Sequence, residues 1–157
     1  MSAIIVCTPV SHGNTKKVAD VIAEVLDARV VTPDRIDAAE LASYDLVGFG
    51  SGIYTGKFHS QLRDFVASLP DAQRRTAFVF ATSGFPDSGL TKFSGAFVAA
   101  LEQKNFELVD TFSCRAFDTF GPFKLVGGLK KGRPDVDDLA AARTFAEELQ
   151  LRRAGLT

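Results

Sequence analysis

The chain has 157 residues, of which 46% are hydrophobic and 24% are charged, and its formal net charge at pH 7 is -1. This length predicts a single domain over residues 1–157 with room for a sizeable core, and the composition is ordinary for a soluble globular protein. The near-neutral charge excludes a general attraction to nucleic acid or to an anionic membrane. No apolar run approaches the about 20 residues that a membrane span requires.

Apolar runs predict strands, apolar residues spaced three and four apart predict helices, and the two patterns alternate along the chain. The predicted strands are Ala3–Thr8, Ala28–Thr32, Asp45–Phe49, Thr76–Ala81 and Glu107–Cys114, the last with the mixed polarity of a sheet edge. The predicted helices span residues 15–26, 58–69, 90–101 and 136–149, with one further turn within 36–43. Five strands alternating with helices predict an α/β fold, a doubly wound parallel sheet covered on both faces.

The two cysteines, Cys7 and Cys114, lie far apart in the sequence, each in a strand-like run. This spacing is typical neither of a disulfide framework nor of a redox pair or a metal site. We therefore expect two buried, reduced thiols, which suit a cytoplasmic protein. The sequence predicts no metal ligand and no catalytic residue.

Three segments rich in Gly, Ser and Thr follow predicted strands: Thr8–Thr15, Gly50–Gly56 and Ala81–Gly89. In a parallel sheet such segments are expected as loops at the carboxyl ends of the strands, where ligands bind at the point at which strand order reverses. The first leads into a helix N-terminus, which favours an anion and above all a phosphate. The same residue types are also common in turns and helix caps, so this segment alone leaves both interpretations open.

The other two segments suit a flat ligand. Both contain glycines that let the backbone approach a bound molecule closely, and each carries an aromatic residue, Tyr54 or Phe85. Tyr54 either stacks on a ring or packs at the rim of its loop, and Phe85 has the same two alternatives. A phosphate site at one end and two aromatic-bearing loops at the other predict a site for flavin mononucleotide (FMN).

The sequence resembles the flavodoxin family over essentially its whole length. Residues Val10–Thr15 stand where that family has the phosphate-loop pattern S/T-x-T-G-N-T; Gly13-Asn14-Thr15 matches, whereas Val10 replaces a hydroxyl residue and His12 replaces a threonine. Gly50–Tyr54 and Thr82–Phe85 resemble the family's segments that flank the flavin ring. The resemblance implies a five-stranded sheet of order 2-1-3-4-5 in a three-layer flavodoxin-like sandwich of the short-chain form.

The predicted cofactor-binding residues lie in these three segments. They are Ser11, His12, Gly13, Asn14, Thr15, Ser51, Gly52, Ile53, Tyr54, Thr55, Gly56, Thr82, Ser83, Gly84 and Phe85. The side chain of His12 either donates to the phosphate or caps the turn in solvent.

The long segment Thr119–Pro134 contains four basic residues and leaves the sheet at the same end as the predicted flavin. Together with Lys57 it predicts a basic rim, where many flavodoxins carry carboxylates. Such a rim predicts a less negative second reduction potential and an acidic partner surface. The alternative is that these charges only solvate the loop. Whether this segment covers the flavin, shapes a substrate pocket or docks a partner stays open.

The favoured function is that of a cytoplasmic FMN-binding flavodoxin, a low-potential electron carrier between two redox partner proteins, a reductase and an acceptor. Such a carrier needs no acid–base residue, and neither nucleic acid nor a membrane is an expected partner. One alternative is an FMN-dependent oxidoreductase that acts on a small molecule such as a quinone. Another is a flavin-free regulatory module, against which the intact Gly13-Asn14-Thr15 argues.

Overall fold

The computed structural model describes residues 2–8, 14–54, 57–58, 60–83, 90–115 and 136–155. Its strands are β1 (Ala3–Cys7), β2 (Arg29–Val31), β3 (Leu46–Tyr54), β4 (Lys57–Phe58), β5 (Thr76–Ser83) and β6 (Glu107–Arg115). Its α-helices are α1 (Asn14–Leu26), α2 (Ala38–Leu41), α3 (Ser60–Ala67), α4 (Leu90–Gln103) and α5 (Val136–Gly155), and a 3-10 turn covers Pro33–Arg35. The single helical turn expected within residues 36–43 is α2.

The main path of the sheet runs β2-β1-β3-β5-β6, and every neighbouring pair along it is parallel. Counted as five parallel strands in chain order, this is the order 2-1-3-4-5, so the predicted fold class is confirmed. The mixed-polarity strand β6 lies at an edge, as expected. The short β4 was not predicted, and it pairs antiparallel with β3.

Helices cover both faces of the sheet. Successive residues of a strand face opposite sides, and in β1 both sides are apolar: Ile4 belongs to one core cluster and Ile5 to the other. The first cluster includes residues of α3 and α4, and the second includes residues of α1 and α5. This explains why β1 is an uninterrupted apolar run rather than an alternating one.

Two glycines of β3 make room for two aromatic rings of β5. Gly48 pairs with Phe78 and Gly50 with Phe80 in the parallel register. A Cβ atom at Gly50 would lie 2.0 Å from Cζ of Phe80, and one at Gly48 would lie 2.3 Å from Cζ of Phe78. The rings therefore lie across the bare backbone of β3, and only glycine is compatible with this packing.

The segment Gly50–Gly56, expected as a loop, is largely strand. β3 continues through Tyr54 and turns back into β4, with Tyr54 opposite Lys57. The expectation was wrong because pairing with β5 satisfies the backbone of this stretch up to Gly52, opposite Thr82, and this tertiary pairing overrides the preference of Gly and Ser for loops. For the same reason β5 extends past its predicted end to Ser83.

Helix α5 returns the chain across α1. Gln150 donates from Nε2 to the carbonyl oxygen of Val25 at 3.2 Å, and Arg143 pairs with Glu24 at 3.3 Å. With 20 residues α5 is long enough to span a bilayer. Across the described part of the chain, however, no helix combines that length with the apolar character needed to cross one.

Candidate functional site

Strands β1, β3 and β5 end at the same side of the sheet, which we call the carboxyl edge. The register places Cys7 of β1 level with Gly50 of β3, and Gly50 level with Phe80 of β5. The backbone N–H of Thr8, just past β1, donates to the carbonyl oxygen of Gly50 at 3.2 Å. Helix α1 begins after residues 9–13, which lie outside the described residues. The predicted site is therefore at the edge where three strands end.

Four hydroxyl side chains are buried at this edge; we call them the hydroxyl layer. They are Thr8, Thr15, Ser51 and Thr82, each at most 2% exposed. Among the residues that the structure describes, no other polar or charged side chain is buried to this degree. Burying a hydroxyl costs about 1–3 kcal/mol unless a hydrogen bond compensates. A protein that gathers such groups at one edge places them where polar recognition is useful.

Hydrogen bonds join the hydroxyl layer in two pairs. The hydroxyl oxygens of Thr15 and Thr82 lie 2.9 Å apart, and this contact links the first turn of α1 to the end of β5. The Thr8 hydroxyl donates to Ser51 at a long 3.4 Å, and the Ser51 hydroxyl donates to the carbonyl oxygen of Gly52 at 2.6 Å. One pair thus links α1 to β5, and the other links the end of β1 to β3.

The start of α1 carries positive charge. Its first turn has no acidic residue, although acidic side chains stabilise helix N-termini, and it contains Lys16 and Lys17. Lys16 lies 2.9 Å from Asp20, and this hydrogen bond raises the pKa of Lys16 above its ordinary value, so the side chain stays a cation. Backbone N–H groups that have no partner within the helix, the helix dipole and the two lysines favour an anion at this end of α1.

The thiol of Cys7 lies in the apolar core below the carboxyl edge. Burial, together with nearby Asp20, raises its pKa to about 11, and Lys16 opposes the shift. The thiol is therefore neutral near pH 7, and a neutral buried thiol is a poor nucleophile. This agrees with the predicted buried, reduced thiol at Cys7. The side chain of Cys114 lies outside the described residues.

Eight of the predicted site residues fall within described elements. Asn14 and Thr15 open α1, the stretch from Ser51 to Tyr54 forms the end of β3, and Thr82 and Ser83 end β5. The structure brings Thr15, Gly52 and Thr82 together, because Thr82 pairs with Gly52 in the sheet and contacts Thr15 through its hydroxyl. The predicted residues outside the described part are Ser11, His12, Gly13, Thr55, Gly56, Gly84 and Phe85, as is the segment Thr119–Pro134.

Two features of the site were not predicted. Thr8 was not among the predicted site residues, although a Thr that directly follows a buried apolar strand is a recognisable signal. Thr82 was expected to flank a flavin ring, but its hydroxyl contacts Thr15 at the start of α1. That contact joins residues 67 positions apart in the sequence, and no local pattern indicates it.

A flavodoxin-domain family model matches residues 5–113. The chain is also 38% identical over 149 residues to an uncharacterized protein of Methanocaldococcus jannaschii, an alignment that covers 95% of this chain and 98% of the relative. The chain belongs to the flavodoxin family. The predicted family is therefore confirmed.

Solved structures share the fold of this flavodoxin. Oxidised Flavodoxin 2 from Bacillus cereus superposes with a TM-score of 0.73 at 20% identity, covering 97% of this chain and 99% of that one. The apo form of an NADH:FMN oxidoreductase superposes with a TM-score of 0.71 at 17% identity, covering 97% and 90%. A flavodoxin and an oxidoreductase thus share this architecture, so the fold alone does not choose between a carrier and an enzyme.

Proposed function

We propose that this flavodoxin binds FMN and carries single electrons between a reductase and an acceptor protein in the cytoplasm. The observation that supports the proposal is the hydroxyl layer, buried at the carboxyl edge beside the positive end of α1. When bound, FMN supplies the redox chemistry, because its ring exchanges one or two electrons. The protein's own residues bind and orient the cofactor and exclude water from it.

The phosphate end of the site fits a dianion. Thr15 offers a hydroxyl, and the first residues of α1 offer backbone N–H groups with no carboxylate among them to repel the ligand. Lys16 and Lys17 add a favourable field. By resemblance, Ser11–Gly13 and Asn14 complete the cradle.

The ring end of the site rests on regular structure. Gly52 lies in the paired part of β3, and the strand leads directly into the hairpin with β4. Residues placed on paired strands hold a planar ligand more firmly than residues on a free loop. We assign Gly50–Tyr54 and Thr82–Phe85 to the two sides of the ring, as the resemblance implies.

The described buried side chains of the site suit an electron carrier. They are hydroxyls and a thiol that burial keeps protonated. None of these is an acid or base whose pKa lies near 7, which proton-transfer catalysis requires. Electron transfer makes no such demand.

The test is a visible spectrum of the purified protein with a stepwise dithionite titration. We expect a yellow protein that is reduced in two resolved one-electron steps, without steady NAD(P)H or quinone turnover in the absence of a partner protein. A single two-electron step accompanied by such turnover would establish the oxidoreductase instead. A colourless protein that does not bind added FMN would refute both.

A further inference from the structure

The hydrogen bond between Thr15 and Thr82 suggests a role for Thr82 that rests on the proposed function and goes beyond it. The two hydroxyl oxygens lie 2.9 Å apart, and the side chains are 1% and 2% exposed. Bulk water therefore does not compete for either hydroxyl. Helix α1 begins at the predicted phosphate site. Within the described residues, this pair forms the hydrogen bond between two hydroxyls that links α1 to the sheet, at the end of β5.

Proton counting restricts how this pair works. A hydroxyl has a single proton to donate and lone pairs to accept with. If Thr15 donates to Thr82, its proton is used and only its lone pairs remain. If Thr82 donates to Thr15, the Thr15 proton stays free for a further acceptor. A phosphate dianion has only acceptor oxygens, so Thr15 binds it through its hydroxyl only in the second arrangement.

We propose that Thr82 is a positioning residue for phosphate recognition. It donates to Thr15, and this bond directs the Thr15 proton toward the phosphate of FMN. Thr82 thereby acts on the phosphate end of the cofactor through Thr15, although the resemblance places it beside the ring. The flavin ring and the ribityl chain gain nothing from this bond.

The surroundings of Thr82 suit this role. It is paired on both sides, opposite Gly52 of β3 and Cys114 of β6, so its backbone is fixed within the sheet. Thr15 is fixed in turn because Val18 and Ile22 of the same helix are fully buried in the core. Two hydroxyls held by rigid elements select one orientation at little entropic cost.

The proposal predicts a selective loss. Without its hydroxyl, residue 82 no longer orients Thr15, so affinity for FMN falls while affinity for riboflavin, which lacks the phosphate, is unchanged. If Thr82 had only a structural role, removing its hydroxyl would lower the affinities for FMN and riboflavin equally. The ratio of the two dissociation constants therefore separates the two roles.

The experiment titrates FMN and riboflavin into the apo forms of wild-type protein and variants, following flavin fluorescence. We expect Thr82→Val to weaken FMN binding about fivefold and Thr15→Val about thirtyfold, with riboflavin binding within about twofold of wild type. In the Thr15→Val background the Thr82→Val change has no further effect, because Thr82 acts only through Thr15. Thr82→Ser, which keeps the hydroxyl, restores FMN affinity.

Thr76→Val is the matched control. Thr76 lies at the opposite end of β5, and its hydroxyl donates to the carbonyl oxygen of Asp45 at 2.8 Å. This variant removes a hydrogen-bonded Thr hydroxyl from the same strand, and we expect both affinities to stay unchanged. Thr82→Ala repeats the test with a smaller side chain, should Thr82→Val fail to fold.

Two results would overturn the inference: an equal loss of FMN and riboflavin affinity in Thr82→Val and Thr82→Ala, or additive effects of Thr82→Val and Thr15→Val. A wild-type protein that binds neither flavin would refute the proposed function itself, an outcome distinct from both. Thermal unfolding of each apo variant reports its folding independently of ligand.

Discussion

The two ends of the sheet treat their polar groups in opposite ways. At the amino edge, where the strands begin, side-chain hydrogen bonds stay accessible to solvent: Thr76 donates to Asp45, and the Arg75 guanidinium donates to the carbonyl of Ala42 at 3.0 Å. At the carboxyl edge the hydroxyl layer is shut away from water. Polar groups that keep contact with water cost little, whereas buried hydroxyls cost free energy that Val or Ala would not. The buried hydroxyls of the carboxyl edge therefore reduce stability, and their position suits a functional role. The solvent-accessible hydrogen bonds described at the amino edge carry no such cost.

Backbone conformation repeats this contrast. Among the described residues, the non-glycine positions with positive φ are Asp27, Gln73, Arg74 and Asn105, all in the turns that lead from a helix to a strand at the amino edge. Such left-handed residues commonly end helices. Their turns are closed by backbone bonds, as where Phe106 donates to Leu101 at 3.1 Å. The amino edge thus contains tight turns that satisfy their own backbone hydrogen bonds. The groups suited to polar recognition lie at the carboxyl edge.

The largest effect is expected where the carboxyl edge is packed most tightly. Gly50→Ala places a methyl group 2.0 Å from the ring of Phe80, which is fully buried and cannot move without disturbing the core. We expect the free energy of unfolding to fall by about 3 kcal/mol, the upper range for overpacking. Urea unfolding of the apoprotein measures it.

The control for this prediction is to make Gly50→Ala in a Phe80→Leu protein as well as in wild type. Leu lacks the ring atoms that the new methyl group would meet, so Gly50→Ala should cost much less in Phe80→Leu than in wild type. An equal cost in both backgrounds would show that Gly50 is needed for its backbone conformation and not for the space above it.

The thiol under the carboxyl edge provides a pH-dependent test. The folded pKa of Cys7 is raised to about 11 from 9.0, so above pH 9 the unfolded chain loses a proton that the folded chain retains. This favours unfolding, and the wild type should lose about 2 kcal/mol of stability between about pH 8 and about pH 10.5 from this group. Cys7→Ala lacks that contribution. Stability curves of the two proteins that stay parallel over this range would contradict the burial of a neutral thiol.

Local patterns predicted most of the fold because they report burial directly. The apolar run of β1 and the helical spacing of Val18, Ile22 and Leu26 each identify an element without knowledge of its neighbours. The order of the strands came only from the family resemblance. The extension of β3 through Gly52 was missed because its cause lies on β5, and the same holds for the need for glycine opposite Phe78.

The candidate site was predicted in outline for a similar reason. Clusters of Gly, Ser and Thr after strands indicate where a ligand binds, since the carboxyl ends of parallel strands meet at one edge. Which hydroxyls contact one another depends on how α1 is seated against β5. The hydrogen bond between Thr15 and Thr82 results from that packing, and no sequence pattern within either segment indicates it.

Removing a hydroxyl should have opposite effects on stability at the two edges. Thr8 is fully buried, its hydroxyl donates a long 3.4 Å bond to Ser51 within the described residues, and Ser51 keeps its bond to Gly52 without it. Thr8→Val should therefore stabilise the apoprotein by about 1 kcal/mol, because an apolar methyl group replaces a poorly satisfied hydroxyl. Thr76→Val should destabilise it by about 1 kcal/mol, because it loses a 2.8 Å bond. Urea unfolding of both variants checks the signs, and a loss of stability in both would remove the energetic contrast between the edges.

The smallest expected effect concerns charge at the two edges. Lys57 begins β4, next to the predicted ring site, whereas Lys104 lies in the turn between α4 and β6 at the amino edge. Lys57→Glu and Lys104→Glu change the net charge equally. If the proposed FMN site is correct, Lys57→Glu should make the second one-electron reduction potential more negative by about 20 mV, equivalent to about 0.5 kcal/mol, because added negative charge opposes a further electron nearby. Lys104→Glu should leave it almost unchanged, because salt screens distant charges. Equal shifts in spectroelectrochemical titration would mean that the potential follows net charge alone, and no shift in either would remove Lys57 from the flavin's surroundings.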